Sequence, residues 1–476
     1  MFYFFAKISQ IFVLTSVIKN ATLCEIMPRT KYHLITYGCQ MNKSDSERVA
    51  TVLDRMGMEE TDAEIDADLI LINSCSVRQT AEDRIFGKMR EFEKLKAKNP
   101  KLVIGVTGCL PGRDRDGKIR AKMPAADLYF PIKDLPQLPR WMAELNPEIA
   151  NIGDVEEDYL RVKPRYAHEK QAYVSIQTGC NKFCTYCVVP FSRGLEKNRP
   201  VADILSEIRE RTAQGTVEIT LLGQTVNSYR APDPAMFATR NPHKTESGAS
   251  FAALLWEINQ IPEIERIHYT APHPIHMTDQ VIDALALPKH VNYLHLPVQA
   301  GSDEVLRRMN RRYTAAQFLE VIRKVRARVP GIAIGTDIIV GFCGETDAQF
   351  EETVALYKAA DFDISYTAMY SPRSGTAAYK AFKDDVPRAE KKRRWLVLQD
   401  LMEQTVLRKN QEYVGRTVEV LVDGWEHGVA SGQSREMKLT RFNATTDLRG
   451  STVHVEVKKA FEWMLSGEYV DTIRSS

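Results

Sequence analysis

The chain has 476 residues, of which 44% are hydrophobic and 26% charged, and its formal net charge is +2. This length supports two or three domains with cores of their own, and the small net charge excludes binding of nucleic acid through bulk basicity. Eight cysteines are too few for a disulfide-stapled scaffold. Six of them fall into two patterned groups, which favours metal binding in a reducing compartment.

The N-terminal segment, residues 1–30, is predicted to be a disordered extension. Its apolar stretch "MFYFFAKISQIFVLTSVIKN" is interrupted by Lys7 and Gln10, and the least interrupted run, Ile11–Ile18, is too short to cross a bilayer. No small-residue cleavage site follows it. A membrane anchor is the alternative, and the sequence leaves the role of residues 1–26 open. Met27 opens "MPRTKYHLITYGC", which is typical of the start of a first strand.

The next block, residues 31–148, alternates apolar runs with helix-like segments. The runs "HLITYG", "DLILIN" and "KLVIGVTG" are separated by periodic stretches at Lys43–Met56 and Gln79–Lys98. Buried strands separated by helices predict a parallel α/β sheet.

A cysteine follows each of these three strands: Cys39, Cys75 and Cys109. Ligands of open α/β sheets collect outside the carboxyl ends of the strands, so the three thiols are expected at one edge. Each cysteine alone is consistent with a small buried hydrophobic residue. Three at the same place in successive units favour a shared metal cluster.

Residues 149–165 are charged and strandless and are predicted to be a linker. In residues 166–402, six strand candidates follow: "AYVSIQ", "VEITLLG", "ERIHYTA", "VNYLHLPV", "IAIGTDIIV" and "FDISYTAMY". Amphipathic segments between them include Val201–Ala213, Phe251–Asn259, Ala315–Val329 and Ala348–Tyr357. Together they predict a partial (β/α)6 barrel with its functional rim at the carboxyl ends of the strands.

The loop after the first barrel strand, "GCNKFCTYCVVP", places Cys180, Cys184 and Cys187 at C-x3-C-x2-C spacing. A closed structural zinc site takes four protein ligands, and no fourth Cys or His lies close downstream. Three thiolates leave one metal position open, where chemistry can occur. A structural zinc knuckle is the alternative.

After a helix at about Pro387–Asn410, residues 405–474 contain short β-branched segments punctuated by glycine. They predict a small β-barrel of the oligonucleotide-binding type. Its aromatic residues could stack on unpaired bases or could fill the barrel core; they are Phe442, Phe461, Trp463 and Tyr469. Two basic runs, Arg307–Arg312 and Glu390–Arg394, suit phosphates, with solvated helix faces as the alternative.

Six motifs together resemble the radical S-adenosylmethionine (SAM) methylthiotransferases. They are "TYGCQMNKSDSE", "INSCSVRQTAEDR", "GCNKFCTYCVVPFSRG", "ITLLGQTVNSY", "LHLPVQAGSDEVLRRMNRRYT" and "DIIVGFCGET". The most similar branch is that of the tRNA-2-methylthio-N(6)-dimethylallyladenosine synthases. The resemblance extends from about residue 31 to 474. It implies an α/β fold with three parts: a parallel N-terminal domain, a radical SAM partial barrel and a TRAM β-barrel that binds RNA.

The resemblance also implies the cofactors. Cys39, Cys75 and Cys109 would hold an auxiliary 4Fe-4S cluster that supplies or relays sulfur. Cys180, Cys184 and Cys187, the catalytic set, would hold a second 4Fe-4S cluster whose free iron chelates SAM. One SAM would donate a methyl group to sulfur, and another would give the 5′-deoxyadenosyl radical that activates carbon 2 of isopentenylated adenosine 37 in tRNA.

Further expectations concern SAM and the partners. Gln299 and Asp337 could contact SAM, although polar residues at strand ends often only cap a sheet. Cys24 and Cys343 are predicted to be unliganded, and the "PHPIH" loop, Pro272–His276, is predicted not to bind metal. The expected partners are the tRNA anticodon stem-loop and a reductant such as flavodoxin or ferredoxin. We expect a cytoplasmic monomer without membrane contact.

Three alternatives remain open. The substrate could be threonylcarbamoyladenosine in tRNA, or a ribosomal protein. The chain could instead be a non-catalytic iron–sulfur protein that binds RNA or transfers electrons, although such carriers normally close their cluster with four thiolates. Thr225 stands where the family usually has Asn, Cys343 where it has Pro, and "LPGRDR" after Cys109 also departs from the usual pattern.

Overall fold

The structure is a computed structural model that describes residues 30–76, 79–146, 158–166, 170–244 and 250–474. Its N-terminal part is a five-stranded parallel sheet in the order β2-β1-β3-β4-β5. The strands are β1 (Lys31–Tyr37), β2 (Glu59–Glu60), β3 (Leu69–Ser74), β4 (Val103–Gly108) and β5 (Leu128–Tyr129). The helices are α1 (Gln40–Arg55), α2 (Gln79–Lys98), α3 (Cys109–Arg113) and α4 (Leu138–Leu145).

Every residue of β3 and β4 is buried, because helices or loops cover both faces of the sheet. Separate hydrophobic clusters lie on the two faces. The helix predicted at Lys43–Met56 begins earlier, at Gln40. The Asn42 side-chain oxygen accepts a hydrogen bond from the Cys39 N–H at 3.3 Å and stabilises the first turn. Because this contact is polar, the hydrophobic periodicity of the sequence does not reveal the start of the helix.

The predicted linker, residues 149–165, lies partly outside the described residues. Its described portion contains a 3-10 helix, Tyr159–Arg161, and no strand. Tyr159 is buried, and Arg165 pairs with Asp54 and Glu60 of the N-terminal part. This portion therefore packs against the first sheet.

Six parallel strands form the middle part, as two three-stranded sheets, β6-β9-β10 and β11-β12-β13. A parallel bridge between Ile267 and His290 joins the two sheets. The strands are β6 (Gln171–Ser175), β7 (Gln177–Thr178), β8 (Lys197–Asn198), β9 (Glu218–Leu222), β10 (Arg266–Tyr269), β11 (Tyr293–His295), β12 (Ala333–Val340) and β13 (Ile364–Met369), of which β7 and β8 form a separate antiparallel pair.

The helices of this part lie between the strands and in a long C-terminal segment. They are α5 (Val189–Ser192), α6 (Val201–Thr212), α7 (Phe251–Asn259), α8 (Asp279–Ala284), α9 (Asp303–Arg308), α10 (Ala315–Arg328), α11 (Asp347–Ala360), α12 (Ala377–Ala381) and α13 (Arg388–Gln411). The helix predicted at Ala348–Tyr357 is longer at both ends. A capping box between Thr346 and Gln349 starts it, and Asp361, at φ 51°, ends it in a left-handed conformation.

The C-terminal part is a closed five-stranded barrel in the order β14-β15-β16-β18-β17. Its strands are β14 (Thr417–Glu426), β15 (Val429–Ser434), β16 (Leu439–Asn443), β17 (Thr452–Ala460) and β18 (Leu465–Arg474). The remaining 3-10 helices are Glu64–Asp66, Arg120–Lys122, Ile132–Gln137, Val226–Ser228, Pro234–Met236 and Pro274–His276.

The three parts together confirm the predicted fold class. Within the described ranges, no helix combines the length and the apolar character that crossing a membrane requires.

Arg266 at the start of β10 joins the partial barrel to the C-terminal barrel. It is fully buried and donates to the Glu419 carboxylate at 3.0 Å and to the Gln433 carbonyl at 2.7 Å. The carboxylate of Glu218, one strand away, lies 3.9 Å from the guanidinium. Burial raises the pKa of Glu218, and the Arg266 charge opposes that rise.

We expect Arg266→Met to lower the free energy of unfolding by about 3–5 kcal/mol at pH 7, because it leaves the Glu218 carboxylate buried without its cation. The deficit should shrink as the pH falls toward the pKa of free glutamate, about 4.3, since protonated Glu218 needs no counter-charge. Urea denaturation across this pH range measures both effects. Arg266→Met/Glu218→Gln is the control, and a deficit independent of pH would contradict the electrostatic explanation.

Candidate functional site

Three cysteines lie at the carboxyl edge of the N-terminal sheet, one after each of the adjacent strands β1, β3 and β4. Cys39 is exposed, while Cys75 and Cys109 are buried. Burial raises the pKa of the Cys109 thiol, and the nearby Cys39 sulfur raises it further. The structure thus brings the three thiols to one edge, where parallel strands place their functional groups.

Local polar contacts hold this edge in shape. The Asn42 amide donates to the Asn73 side chain and to the Ser74 carbonyl, each at 3.2 Å, and so ties α1 to β3 beside Cys39 and Cys75. Gly108 precedes Cys109 with φ 98°, and a Cβ there would stand 2.4 Å from the Ser74 carbonyl oxygen. Only glycine fits this backbone conformation so close to the neighbouring strand.

The second group lies on the loop between β7 and α5. Cys180 and Cys184 are buried and Cys187 is partly buried. The Lys182 N–H donates to Cys180 Sγ and the Val189 N–H to Cys187 Sγ, both at 3.4 Å. These N–H groups face the sulfurs and stabilise the thiolate form that binds metal.

Two side chains from loops distant in sequence also reach these sulfurs. Thr225 Oγ1 lies 3.3 Å from Cys180 Sγ, and the buried guanidinium of Arg311 donates to Cys184 Sγ at 3.5 Å. Burial and the Cys184 sulfur raise the pKa of Cys187 to about 12. Burial therefore favours the protonated form of Cys187, and a bound metal cation would favour its thiolate.

Each cysteine group adjoins one of two short helices, α3 and α5, that pack against each other. A Cβ on Gly112 of α3 would lie 2.1 Å from the carbonyl oxygen of Ser192 in α5, so the two backbones are in direct contact. Helix α3 begins at Cys109, and α5 begins two residues after Cys187. The segment that carries Cys109 and the loop that carries Cys187 are therefore connected through the contact of these two helices.

Arg193, the residue after α5, crosses from the barrel to the first cysteine group. Its Nε donates to Cys109 Sγ at 3.4 Å, and its guanidinium pairs with the fully buried carboxylate of Asp45. The Tyr159 hydroxyl donates to the same carboxylate. Burial alone would lower the pKa of Arg193, but Asp45 and the Cys109 sulfur raise it well above its usual value.

A second arginine crosses the same boundary near Cys75. Arg373, which follows β13, donates to the Glu82 carboxylate at 3.3 Å, and Arg113 of α3 donates to the same oxygen at 2.8 Å. Burial lowers the pKa of Arg373, while Glu82 and the Cys75 sulfur oppose that change. The "LPGRDR" departure thus supplies Arg113 for this network.

The chemistry of these residues suits iron–sulfur clusters. Among the described residues, no three His, Cys, Asp or Glu side chains lie close enough to share one metal ion. A cubane instead accepts each thiolate on a different iron. Each cysteine group offers three soft thiols, and buried cations stand beside them to offset thiolate charge.

The two predicted SAM residues are neighbours in the barrel, with Gln299 in the segment after β11 and Asp337 in β12. Gln299 has φ 73° and joins β12 through backbone hydrogen bonds with Asp337 and Ile339, each 2.8 Å long. The Asp337 carboxylate lies 3.1 Å from His295 Nε2 on β11. The assignment of both residues to SAM stays a prediction.

Each basic run is part buried and part exposed, since Arg307, Arg312, Lys392 and Arg393 lie at the surface; that these runs bind phosphate stays a prediction. In the first run Arg311 is buried beside Cys184. In the second, Lys391 and Arg394 are buried, and Arg394 pairs with Glu345. These cations sit inside the protein because each has an internal acceptor.

The four aromatic residues of the C-terminal barrel divide between core and surface. Phe442 is buried, whereas Phe461, Trp463 and Tyr469 are exposed. In the "PHPIH" loop, His273 accepts a hydrogen bond from the Ile275 N–H at 3.3 Å. Cys343 is buried beside Tyr370, and Cys24 lies outside the described residues.

Sequence reasoning missed three contacts of the cysteines: Thr225, Arg193 and Arg311. Thr225 was noted only as a departure, and Arg193 only as part of the "FSRG" motif. No spacing signal connects them with sulfur atoms, because each contact joins residues at least 45 positions apart.

Gly112→Ala should force α3 and α5 apart, because no side chain fits between Gly112 and the Ser192 carbonyl. We expect a loss of about 1–3 kcal/mol in the free energy of unfolding, as for overpacked sites, and less iron bound after reconstitution. Gly87→Ala is the matched control, since its Cβ meets nothing within 4 Å. Equal behaviour of the two variants would refute a close-packing role.

Arg193→Gln should destabilise the protein by about 3–5 kcal/mol, because Asp45 then stays buried without its cation. Arg193→Gln/Asp45→Asn should recover part of that loss, and the coupling in this double-mutant cycle measures the pair. Chemical denaturation of the four proteins without metal is the measurement. Strict additivity of the two substitutions would argue against the ion pair.

The comparisons with known proteins agree with this geometry. Residues 174–357 match the family described as "Radical SAM superfamily", and residues 31–131 match "Uncharacterized protein family UPF0004". In fold, the chain is similar to a radical S-adenosylmethionine methyltransferase, TsrM, from Kitasatospora setae, with a TM-score of 0.50 and 12% identity over 85% of this chain and 77% of that one.

Similarity in sequence is much higher among curated relatives that carry the name tRNA-2-methylthio-N(6)-dimethylallyladenosine synthase. The relative from Moorella thermoacetica is 40% identical over 94% of this chain and 100% of its own length. That from Carboxydothermus hydrogenoformans is 39% identical over 93% and 100%, and that from Bacillus subtilis 38% identical over 92% and 86%. The chain therefore belongs to the tRNA-2-methylthio-N(6)-dimethylallyladenosine synthase family, a family of radical SAM methylthiotransferases.

Proposed function

We propose that the protein adds a methylthio group to carbon 2 of N(6)-dimethylallyladenosine at position 37 of tRNA, using SAM and two 4Fe-4S clusters. Its membership of a family named for this product supports the reaction. The observation that carries the proposal to this chain is the contact between α3 and α5, the short helices that adjoin Cys109 and Cys187.

Each cysteine group has a separate role. Cys39, Cys75 and Cys109 hold the auxiliary cluster, Cys180, Cys184 and Cys187 hold the SAM cluster, and Gln299 and Asp337 contact SAM. When bound, the clusters supply the electron that cleaves SAM to a carbon radical and the site that delivers methylated sulfur.

The protein's own groups prepare this chemistry. Backbone N–H groups of Lys182 and Val189 and the guanidinium groups of Arg193 and Arg311 donate to the thiolates. Hydrogen bonds to the sulfurs favour the deprotonated ligands and influence the reduction potential. Cys109, Cys180 and Cys184 are buried, which limits the access of water to these sulfurs.

The chain divides into an extension (1–30), an N-terminal domain (31–148), a linker (149–165), a radical SAM barrel (166–402) and a TRAM barrel (405–474). The TRAM barrel binds the anticodon stem-loop of tRNA, and its exposed Phe461, Trp463 and Tyr469 support stacking on unpaired bases. A flavodoxin or ferredoxin supplies the electrons. The protein acts as a cytoplasmic monomer.

Iron and sulfide analysis after anaerobic reconstitution tests the cofactor assignment. About eight irons per chain are expected, falling to about four in either the Cys180/Cys184/Cys187→Ala or the Cys39/Cys75/Cys109→Ala variant. Cys343→Ala is the control and should keep all of them. About four irons in the unaltered protein, all lost in the first variant, would contradict an auxiliary cluster.

Mass spectrometry of digested tRNA from cells that lack the protein tests the substrate. Dimethylallyladenosine should accumulate in place of its 2-methylthio derivative, and the unaltered gene, unlike either triple-cysteine variant, should restore the derivative. Persistence of the derivative would refute the substrate. Loss of methylthiolated threonylcarbamoyladenosine, or of a methylthio group on a ribosomal protein, would identify an alternative substrate, and absence of SAM cleavage by the reduced protein would indicate a non-catalytic iron–sulfur protein.

A further inference from the structure

A cavity of about 280 Å³ opens beside the loop of Cys180, at the carboxyl ends of β9 and β10. Its wall includes Asn181 and Lys182 from the cysteine loop, Arg230 after β9, and His276 and Gln280 after β10. The predicted SAM residues, Gln299 and Asp337, are not among the residues that line it.

The cavity has more positive than negative charge available to a ligand. In the described part of the chain, the side chains of Lys182 and Arg230 have no hydrogen-bond or ion-pair partner. The one lining carboxylate, Glu196, already accepts hydrogen bonds from Ser228 at 2.8 Å and Asn198 at 3.4 Å. Two cations without partners in a concave site favour an anionic ligand.

His276 supports the same conclusion. Its Nε2 atom is buried and has no hydrogen-bond partner among the described residues. Burial, and then the charges of Lys182 and Arg230, lower its pKa to about 4, so the ring is neutral and the two cations stand near it. A neutral imidazole can donate to a phosphate oxygen or exchange a hydrogen bond with a base.

The size and chemistry of the cavity fit a nucleotide. Its volume is close to the lower end of ligand pockets, about 300 Å³. Its cations suit a phosphate, and the amide of Gln280 suits a base edge. A flat protein partner would not fill such a concave site.

The neighbouring loop residue adds an aromatic surface. Phe183 follows Lys182, is 46% exposed and has φ 52°, and Asn310 donates to its carbonyl at 3.0 Å. A non-glycine residue held in this conformation is typical of functional loops. An exposed ring next to a cation is the combination that single-stranded nucleic acid recognises.

We propose that this cavity binds an anticodon-loop nucleotide adjacent to the modified adenosine, with Lys182 and Arg230 on its phosphate. The proposal rests on the proposed function, because the RNA it names is that substrate. The Lys182 N–H also donates to Cys180 Sγ, so nucleotide binding is coupled in space to the SAM-cluster loop.

Binding of a dimethylallyl-modified anticodon stem-loop, measured by fluorescence anisotropy over a range of salt concentrations, tests the proposal. Lys182→Ala/Arg230→Ala in the reconstituted full chain should weaken binding at least tenfold and lower the salt dependence by about two phosphate contacts. Lys182→Arg/Arg230→Lys, which keeps both charges, should bind within a fewfold of the unaltered protein. Lys98→Ala/Lys101→Ala, which removes two exposed lysines of the N-terminal part, is the charge-matched control and should bind normally.

Stem-loops that carry one neutral methylphosphonate at a time locate the phosphate. A methylphosphonate at one position of the stem-loop should weaken binding to the unaltered protein. The same methylphosphonate should leave binding to Arg230→Ala unchanged. Arg230→Ala keeps the cysteine loop intact, and its iron content verifies this. That variant alone should weaken binding severalfold, so a folding defect at Lys182 cannot obscure the answer.

The other outcomes would overturn the proposal in distinguishable ways. Unchanged RNA affinity of both Lys182→Ala/Arg230→Ala and Arg230→Ala, with tRNA methylthiolation intact, would show that the cavity does not bind RNA. That result would leave the proposed function standing. A raised Kd for SAM alone would assign the cavity to the cofactor, and slower reduction by flavodoxin alone would assign it to the reductant. If the unaltered protein bound no stem-loop, the proposed function itself would fail.

Discussion

The contact between α3 and α5 is the constraint on which the rest of the site depends. Each short helix adjoins a cysteine loop, and glycine at position 112 lets their backbones meet. Overpacking at such a contact is costly in a close-packed interior. Because the helices are anchored to different sheets, their contact sets the separation of the two cysteine groups.

Buried arginines offset the negative charge of the two cysteine groups. Several thiolates close together carry a concentration of negative charge that the interior does not solvate. Arg193, Arg311 and Arg373 stand against sulfur atoms or the carboxylates beside them. Arg193 and Arg373 do so between the N-terminal part and the barrel, so the same interactions that stabilise the ligands also hold these two parts together.

Net charge is a poor guide to this distribution. The chain is almost neutral overall, yet buried cations gather at the cysteines, while two cations that have no partner among the described residues line a cavity at the barrel rim. Within the basic sequence runs, Arg311, Lys391 and Arg394 are buried because they find acceptors inside the fold. The other arginines and lysines of these runs are mostly exposed. What decides whether a cation faces solvent or a ligand is the position of its acceptors, which a linear run does not reveal.

The sequence by itself determined the succession of strands and helices along the chain, the three parts and the two cysteine groups. These follow from short-range signals: hydrophobic periodicity, glycine placement and cysteine spacing. Parallel topology then required Cys39, Cys75 and Cys109 to share an edge. The sequence did not predict the helix start at Gln40, since a single polar side chain stabilises it. Only the tertiary structure decided which residues contact the sulfurs and which cations stay unpaired. Those contacts join side chains that are far apart in sequence, and their energies depend on burial, which exists only once the domains have packed.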